Sequence, residues 1–337
     1  MSPKRILVVL VARIGDTLLG TPVMRALKAR YPGASLTVLA HPKRMAVLEN
    51  LDFIDQLGSI TPKTAFFRHR FGAKPYDLAV LFGNDAPLLK LARRVAPRVV
   101  AFSHDGELDH PALRFVPRPT PDAPLHAVKE RLLLAEAADA APVDLRLCYR
   151  VRAAEQRTAA AWLQQHLPPQ AGPLIGLQPY SFPTKAHRDW PLDNFFALIA
   201  AIRSQYPQAH FLIFGDGLAQ RKLNQVTDRI PPGCTLCAGK FSLRETAALM
   251  AELDLYVGVD TGPTHIVGAL GIPMVALYHC AYPGRLLAPL EHPALRVVEH
   301  PLTGASRSSE ESMDQIPVAQ VAQAALELLS SQAAEAP

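Results

Sequence analysis

Short apolar, β-branched segments alternate with amphipathic segments along almost the whole chain, and this alternation constrains the fold most strongly. The chain opens with a predicted strand at residues 5–11, a predicted helix at about 17–30 and a second strand at 35–40. A strand that is apolar at every position is typical of a parallel sheet covered by helices on both faces. The sequence therefore predicts an α/β fold with parallel sheets.

The same pattern begins again after residue 150. Further strands are predicted at 77–82, 98–102, 174–178, 210–214, 255–259 and 273–278. Further helices are predicted at 88–95, 126–139, 153–166, 193–205, 217–229, 242–252, 263–270 and about 317–330. Two such runs in 337 residues predict two Rossmann-like domains, at 1–150 and 151–316, followed by a C-terminal helix and tail at 317–337. A ligand cleft is expected where the carboxyl ends of the two sets of strands face each other.

Charge and composition limit the class of function. Residues 1–150 contain 22 Lys and Arg against 14 Asp and Glu, whereas residues 151–337 contain 13 against 16. The basic first half suits an anionic partner, although arginines that only solubilise exposed helices would give the same count. The basic residues are scattered and no aromatic stacking motif accompanies them, which argues against nucleic acid. With no apolar stretch of about 20 residues and no signal-peptide pattern, we expect a cytoplasmic protein.

Metal binding is not expected from this sequence. The cysteines are Cys148, Cys234, Cys237 and Cys280, and the single C-x-x-C pair lacks the second ligand pair of a zinc site, so reduced thiols are predicted. Acidic residues occur at Asp52 and Asp55 and at 105–109, but neither group has the D-x-D spacing that holds a divalent cation in metal-dependent transferases. A solvated loop and a helix-end cap are the predicted roles of these two groups.

The first candidate motif, Gly15-Asp16-Thr17, lies between the first strand and its helix. Glycine permits close approach of the backbone to a ligand at the carboxyl edge of the sheet. The Asp16 carboxylate could act as a general base on a sugar hydroxyl, or it could simply cap the helix N-terminus. Because G-x-G-x-x-G is absent, dinucleotide-dependent oxidoreduction is not favoured.

Two further motifs lie in the second half. Asp260-Thr261-Gly262 follows a predicted strand and, with His265, opens a helix whose free N–H groups and dipole suit a phosphate. The alternative is an ordinary aspartate cap, with His265 either packed or solvent-exposed. Lys185 and Arg188 lie on a loop after another strand and could contact phosphate oxygens, or could be solvated only.

Together these motifs resemble glycosyltransferase family 9, the lipopolysaccharide heptosyltransferases. The resemblance covers nearly the whole chain and rests on R-x-G-D at 13–16, P-x-x-x-A-L-K at 22–28, H-A-V at 126–128, R-x-W-P at 188–191, D-T-G-x-x-H at 260–265, A-L-G-x-P-x-V-A-L-Y at 269–278, and M-x-x-I before the last helix. It implies a GT-B fold and an inverting transfer that needs no metal or other cofactor. It also implies that Asp16 is the catalytic base, that Arg188 contacts phosphate, and that Asp260, Thr261 and Gly262 hold the donor diphosphate.

Two positions depart from the family pattern. His279-Cys280-Ala281 stands where the family has G-P-T, and Arg188 replaces the usual lysine. The first departure bears on donor binding, and the second retains the positive charge with a different geometry.

The resemblance implies transfer of heptose from ADP-heptose to the inner core of lipopolysaccharide, with the donor in the second domain and the acceptor on the basic first domain. Contact with the inner membrane would then be peripheral. Two alternatives remain. One is a related GT-B enzyme with another nucleotide sugar or acceptor, including a sugar-nucleotide epimerase. The other is a catalytically inactive binding protein, which would have no need of a base at Asp16.

Overall fold

The computed structural model describes residues 2–65, 74–83, 85–103 and 112–335. The chain forms two compact units, residues 1–150 and 151–337. The last helix belongs to the second unit, where it packs on that unit's sheet, rather than forming a separate C-terminal segment.

The first unit contains a six-stranded parallel sheet. Its strands are β1 (Arg5–Leu10), β2 (Ser35–Ala40), β3 (Gln56–Ser59), β4 (Leu78–Leu81), β5 (Arg98–Phe102) and β6 (Leu113–Val116), in the order β3-β2-β1-β4-β5-β6. Its helices are α1 (Ile14–Leu18), α2 (Thr21–Arg30), α3 (Pro62–Ala65), α4 (Ala86–Val95) and α5 (Ala127–Ala137), with a 3-10 turn at Met45–Leu48. The strand order reverses between β1 and β4, so the carboxyl ends of these two strands flank the crevice where α/β sheets bind ligands.

The second unit repeats this arrangement. Its strands are β7 (Leu174–Gln178), β8 (His210–Ile213), β9 (Cys234–Leu236), β10 (Leu255–Val259), β11 (Met274–Tyr278) and β12 (Leu295–Glu299), in the order β12-β11-β10-β7-β8-β9. Its helices are α6 (Ala153–His166), α7 (Leu192–Gln205), α8 (Gly217–Asn224), α9 (Leu243–Met250), α10 (Gly262–Leu270), α11 (Gly284–Leu287) and α12 (Val318–Glu335). Short 3-10 turns occupy Pro183–Arg188, Thr227–Arg229 and Met313–Gln315. Here the order reverses between β7 and β10.

The apolar strands form the cores as predicted. All five residues of β7 and of β10 are buried, and β1 is buried after its first residue. All strand pairs are parallel, for example Val8 of β1 with Val38 of β2 and Val80 of β4. The two parallel sheets agree with the predicted α/β fold of two Rossmann-like domains.

The helix predicted at 17–30 is wrong in its bounds, because α1 ends at Leu18 and α2 begins at Thr21. Pro22 lies in the first turn of α2, where its missing N–H costs nothing, but inside one longer helix it would remove a hydrogen bond. Gly20 lies between the two helices, close against β1, and a Cβ there would approach Leu10 Cδ2 to 2.9 Å. The break therefore sets Ile14–Leu18 apart as a short helix over the end of β1.

Candidate functional site

Asp16 lies in the first turn of α1, directly after β1 and at the switch point of the first sheet. The residue before the helix is Arg13, and no side chain caps the first turn. The Asp16 carboxylate instead accepts a hydrogen bond from Arg131 of α5, with Nη2 and Oδ1 2.6 Å apart. The alternative of a helix cap is therefore wrong, because the carboxylate bonds a guanidinium and not the helix N–H groups.

Arg131 is fixed between two acceptors. Its Nη1 donates to the Ala127 carbonyl at 2.8 Å while its Nη2 holds Asp16. Its side chain is 17% exposed, against 46% for Asp16, so the carboxylate remains open to solvent while its partner is mostly buried. Burial lowers the pKa of the Arg131 guanidinium, and the negative charge of Asp16 opposes that shift.

Asp16 lines a small cavity of about 120 Å³. Its lining combines the ends of β1, β4 and β5 with side chains before and within α5: Leu10, Val11, Ala12, Asp16, Phe82, Gly83, Phe102, Arg118, Glu130 and Arg131. The Arg118 guanidinium lies 4.1 Å above the Phe102 ring and donates to Glu130. The cavity therefore presents two carboxylates, Asp16 and Glu130, each paired with a guanidinium group, which makes a polar surface suited to a hydroxylated molecule.

The neighbours of Asp16 in the motif take different positions. Thr17 is 1% exposed and its hydroxyl donates to the Arg13 carbonyl at 2.8 Å, so its side chain supports the turn from inside. The Gly15 carbonyl accepts from Leu19 N at 2.9 Å, which closes α1.

The second group of candidate residues lies at the switch point of the second sheet. Asp260 follows β10 and is 4% exposed. Its carboxylate accepts a hydrogen bond from Arg188, and its second oxygen lies 3.5 Å from His265 Nε2. The alternative of an aspartate cap is wrong here as well, because Thr261 is the residue before α10. Asp260 instead fixes Arg188, which comes from the turn after β7.

The N-terminus of α10 is held from below. The Thr264 hydroxyl donates to the Val259 carbonyl at 2.6 Å and meets the Tyr256 hydroxyl at 3.0 Å. Gly258 makes room for that tyrosine, since a Cβ there would lie 2.5 Å from the Tyr256 hydroxyl. No side chain caps the first-turn N–H groups beginning at Gly262, so this end of α10 keeps the polarity of an anion site.

Lys185 and Arg188 come together on Tyr282, a residue that the sequence did not suggest. The Arg188 guanidinium carbon lies 3.8 Å from the centre of the Tyr282 ring. Lys185 Nζ donates to the Tyr282 hydroxyl at 3.0 Å, and this contact lowers the pKa of the phenol. The two cations that sequence reasoning assigned to phosphate binding therefore share one aromatic support.

A family model of glycosyltransferase family 9 (heptosyltransferase) matches residues 66–316. The chain belongs to this family. Lipopolysaccharide heptosyltransferase 3 of Escherichia coli is 27% identical over 290 residues, which is 78% of this chain and 80% of that protein. Lipopolysaccharide core heptosyltransferase OpsX of Haemophilus influenzae is 33% identical over 99 residues, covering 28% of this chain and 27% of that protein.

The solved structure of E. coli ADP-heptose lipopolysaccharide heptosyltransferase II is similar to this chain with a TM-score of 0.77 at 22% identity, over 98% of this chain and 99% of that one. This likeness confirms the predicted GT-B class of fold. Family 9 membership makes the protein a glycosyltransferase, as the sequence indicated.

The loop at residues 279–281, which departs from the G-P-T pattern of family 9, is anchored by a buried histidine. His279 is fully buried, its Nε2 lies 2.8 Å from the Glu311 carbonyl, and its Nδ1 accepts from Ala281 N. Burial lowers the pKa of His279, which favours the neutral ring. The Tyr282 N–H donates to the His279 carbonyl at 2.8 Å, so this loop is what delivers Tyr282 to the two cations.

Within the described residues of this glycosyltransferase, no three His, Cys, Asp or Glu side chains are grouped as metal ligands. The four cysteines are free thiols, and burial raises the pKa of Cys234 and of Cys237 to about 12. Asp55 pairs with Lys28 at 2.7 Å and accepts from Leu36 N, while residues 105–109 lie outside the described residues.

In the part of the chain that is described, no helix is long and apolar enough to cross a membrane.

Proposed function

We propose that this glycosyltransferase moves heptose from ADP-heptose to the inner core of lipopolysaccharide, with inversion at the anomeric carbon and without a metal ion. The names of the relatives supply the sugar and the acceptor: lipopolysaccharide heptosyltransferase 3 and ADP-heptose lipopolysaccharide heptosyltransferase II. The observation that carries the mechanism is an accessible carboxylate, Asp16, held by a mostly buried guanidinium at the switch point of the basic unit.

Asp16 acts as the general base in this proposal. Its carboxylate takes the proton of an acceptor hydroxyl, whose oxygen forms the new bond to the anomeric carbon. The bond from that carbon to the diphosphate breaks at the same time, and its electron pair leaves with ADP. Arg131 supports this role because it fixes one carboxylate oxygen while the side chain stays about half exposed.

The leaving diphosphate is bound by groups of the second unit. Arg188, which is held by Asp260 just before α10, and Lys185 supply two positive charges, and Thr261 and Gly262 offer backbone N–H groups at the N-terminus of α10. Asp260 accepts a hydrogen bond from Arg188 and has His265 beside it. Asp260 and His265 therefore help to position Arg188 and do not themselves need to contact the diphosphate. Fixed cations of this kind stabilise the developing charge on ADP without a divalent ion.

The acceptor belongs with the first unit. Residues 1–150 carry eight more basic than acidic residues, 22 against 14, which suits a phosphorylated, acidic glycan. Gly15 allows the acceptor to approach the backbone next to Asp16. Because the acceptor is a lipid-anchored glycan, we expect a cytoplasmic enzyme whose contact with the inner membrane is peripheral.

The test is to incubate the protein with ADP-heptose and a panel of lipopolysaccharides truncated at successive core sugars, and to weigh the products by mass spectrometry. One heptose should be added to one inner-core acceptor, with equimolar ADP released. If no acceptor gains a heptose while another nucleotide sugar is consumed, a related GT-B activity replaces this proposal. If no nucleotide raises the melting temperature, the inactive binding protein is favoured.

A further inference from the structure

Three side chains of the turn Pro183–Arg188 converge on one residue of a different loop. The Arg188 guanidinium lies over the Tyr282 ring at 3.8 Å, and Lys185 reaches the Tyr282 hydroxyl at 3.0 Å. The His187 ring stacks against the same tyrosine with 5.7 Å between ring centres. Tyr282 is half-buried and has three polar side chains of one turn against its ring and hydroxyl, so the arrangement calls for a physical explanation.

The two cations need a partner that does not cancel their charge. Like charges held close together repel each other, and each would otherwise move toward solvent. A further carboxylate would attract both cations but would also neutralise them. Asp260 already forms an ion pair with Arg188. The negative face of an aromatic ring and a neutral phenol oxygen attract cations while leaving their charge available to an anion. Tyr282 supplies both groups at once.

The loop that carries Tyr282 is itself anchored at two points. His279 is fully buried and its ring meets His187 edge-on at 5.3 Å, so the loop and the cationic turn are also joined below the tyrosine. The loop closes through the hydrogen bond from Tyr282 N to the His279 carbonyl. This anchoring limits the motion of the ring, which is what a fixed support for Lys185 and Arg188 requires.

We propose that Tyr282 is a positioning residue, which holds Lys185 and Arg188 in the arrangement that binds the diphosphate of the nucleotide-sugar donor. The proposal rests on the proposed function of this site. It assigns to the loop that begins with His279-Cys280-Ala281, where the sequence departs from the family pattern, a distinct way of supporting the same two cations through Tyr282.

The test uses two variants of the full-length protein. Tyr282→Leu removes both the ring and the hydroxyl, and Tyr282→Phe removes only the acceptor of Lys185. Isothermal titration with ADP and with adenosine separates binding of the diphosphate from binding of the nucleoside. Steady-state kinetics with ADP-heptose then gives kcat and the donor and acceptor KM values. The matched control is Tyr180→Leu, because the Tyr180 ring also carries a lysine, Lys222, at 4.5 Å in the same unit.

Tyr282→Leu should weaken ADP binding by about 5- to 30-fold, the range of a partly desolvated cation–π contact, and leave adenosine binding unchanged. Tyr282→Phe should restore most of this affinity and remain about 2- to 5-fold below the wild type, since one hydrogen bond is lost. In the kinetics, Tyr282→Leu should raise the donor KM and lower kcat with the acceptor KM unchanged. Tyr180→Leu should bind ADP like the wild type.

Equal losses for ADP and adenosine would overturn the proposal, because a general distortion of the loop weakens both ligands. Wild-type ADP affinity in Tyr282→Leu would overturn it as well, while leaving the proposed function intact. If Tyr282→Leu does not fold, Tyr282→Phe decides alone, and an ADP affinity equal to that of the wild type refutes the role of the hydroxyl. A wild-type protein that binds no ADP would instead refute the proposed donor, and this inference with it.

Discussion

Replacing Asp16 by asparagine separates the chemical role of this residue from its structural role. Asn keeps an oxygen that can accept the hydrogen bond from Arg131 Nη2, but it loses the charge and the capacity to take a proton. Loss of a general base typically lowers the rate by about 10²- to 10⁴-fold. We therefore expect kcat for heptosyl transfer to fall by this amount, while the affinity for ADP, which we propose the second unit binds, stays the same.

The change in stability follows from burial. Exposed ion pairs contribute about 0.2–1 kcal/mol, and removing one partner of a fully buried pair costs about 3–5 kcal/mol. The Asp16–Arg131 pair lies between these limits, with side chains 46% and 17% exposed. Asp16→Asn should therefore lower the free energy of unfolding by about 1–2 kcal/mol. The double variant Asp16→Asn/Arg131→Met removes the unpaired charge and should recover part of this loss without recovering turnover.

Asp144→Asn is the matched control, because Arg25 and Asp144 form an ion pair in the same unit with side chains 21% and 33% exposed. Urea unfolding should show a similar loss of stability, and the transferase assay should show wild-type kcat. If Asp16→Asn retains more than a tenth of wild-type turnover, Asp16 is not the base. If Asp144→Asn loses turnover as severely, the effect of Asp16→Asn reports on stability alone.

Three further predictions concern the second unit and the whole enzyme. Arg188→Ala should lower kcat/KM for the donor by about 10- to 150-fold, the value of a charge-assisted phosphate contact, and Arg188→Lys should restore much of this loss. Unchanged kinetics in Arg188→Ala would mean that Arg188 does not bind phosphate. The transferase should keep its full activity in excess EDTA, and a loss of activity that magnesium or manganese reverses would contradict the metal-free mechanism. Burial lowers the pKa of His292 to about 4, so the unfolded chain takes up this proton first and stability should fall as the pH drops from about 6.5 toward 4. His292→Gln should flatten this part of the pH profile of urea unfolding, and an unchanged slope would exclude His292 as the cause.

The sequence predicted the central strands well and missed the outer ones. The predicted bounds of β2, β5, β7 and β10 are those of the structure, because each strand is mostly apolar and is buried from its second residue onward. The four unpredicted strands, β3, β6, β9 and β12, are the edge strands of the two sheets. An edge strand pairs on one side only and keeps polar residues such as Gln56, Arg114 and Thr235, so its pattern resembles that of a loop.

The candidate site was predicted as separate motifs, and the contacts within it were not. Arg131 and Asp16 are 115 positions apart, and Lys185 and Tyr282 are 97 apart. Separations of this size along the sequence do not indicate a contact in either pair. Only the order of the strands in the sheet brings the elements that carry these residues together. A hint was present at residues 279–281, where the departure from the family pattern marked the loop that carries Tyr282. A loop that changes its sequence beside a binding site must either lose its role or support the site differently.

The position of the motifs follows from a rule of topology that both units obey. In each sheet the order reverses beside the first strand of the unit, so the carboxyl ends of its first and fourth strands flank the crevice. Asp16 follows β1, Lys185 and Arg188 follow β7, and Asp260 follows β10. The fourth such position follows β4, where Phe82 and Gly83 line the cavity beside Asp16. Gly83 lines this cavity without a side chain, and a Cβ built there would lie 3.5 Å from Asp85 Oδ2, so a larger side chain would take up space at the cavity that we propose for the acceptor. Gly83→Val should therefore raise the acceptor KM and leave ADP affinity unchanged, and an unchanged acceptor KM would place the acceptor elsewhere than in this cavity.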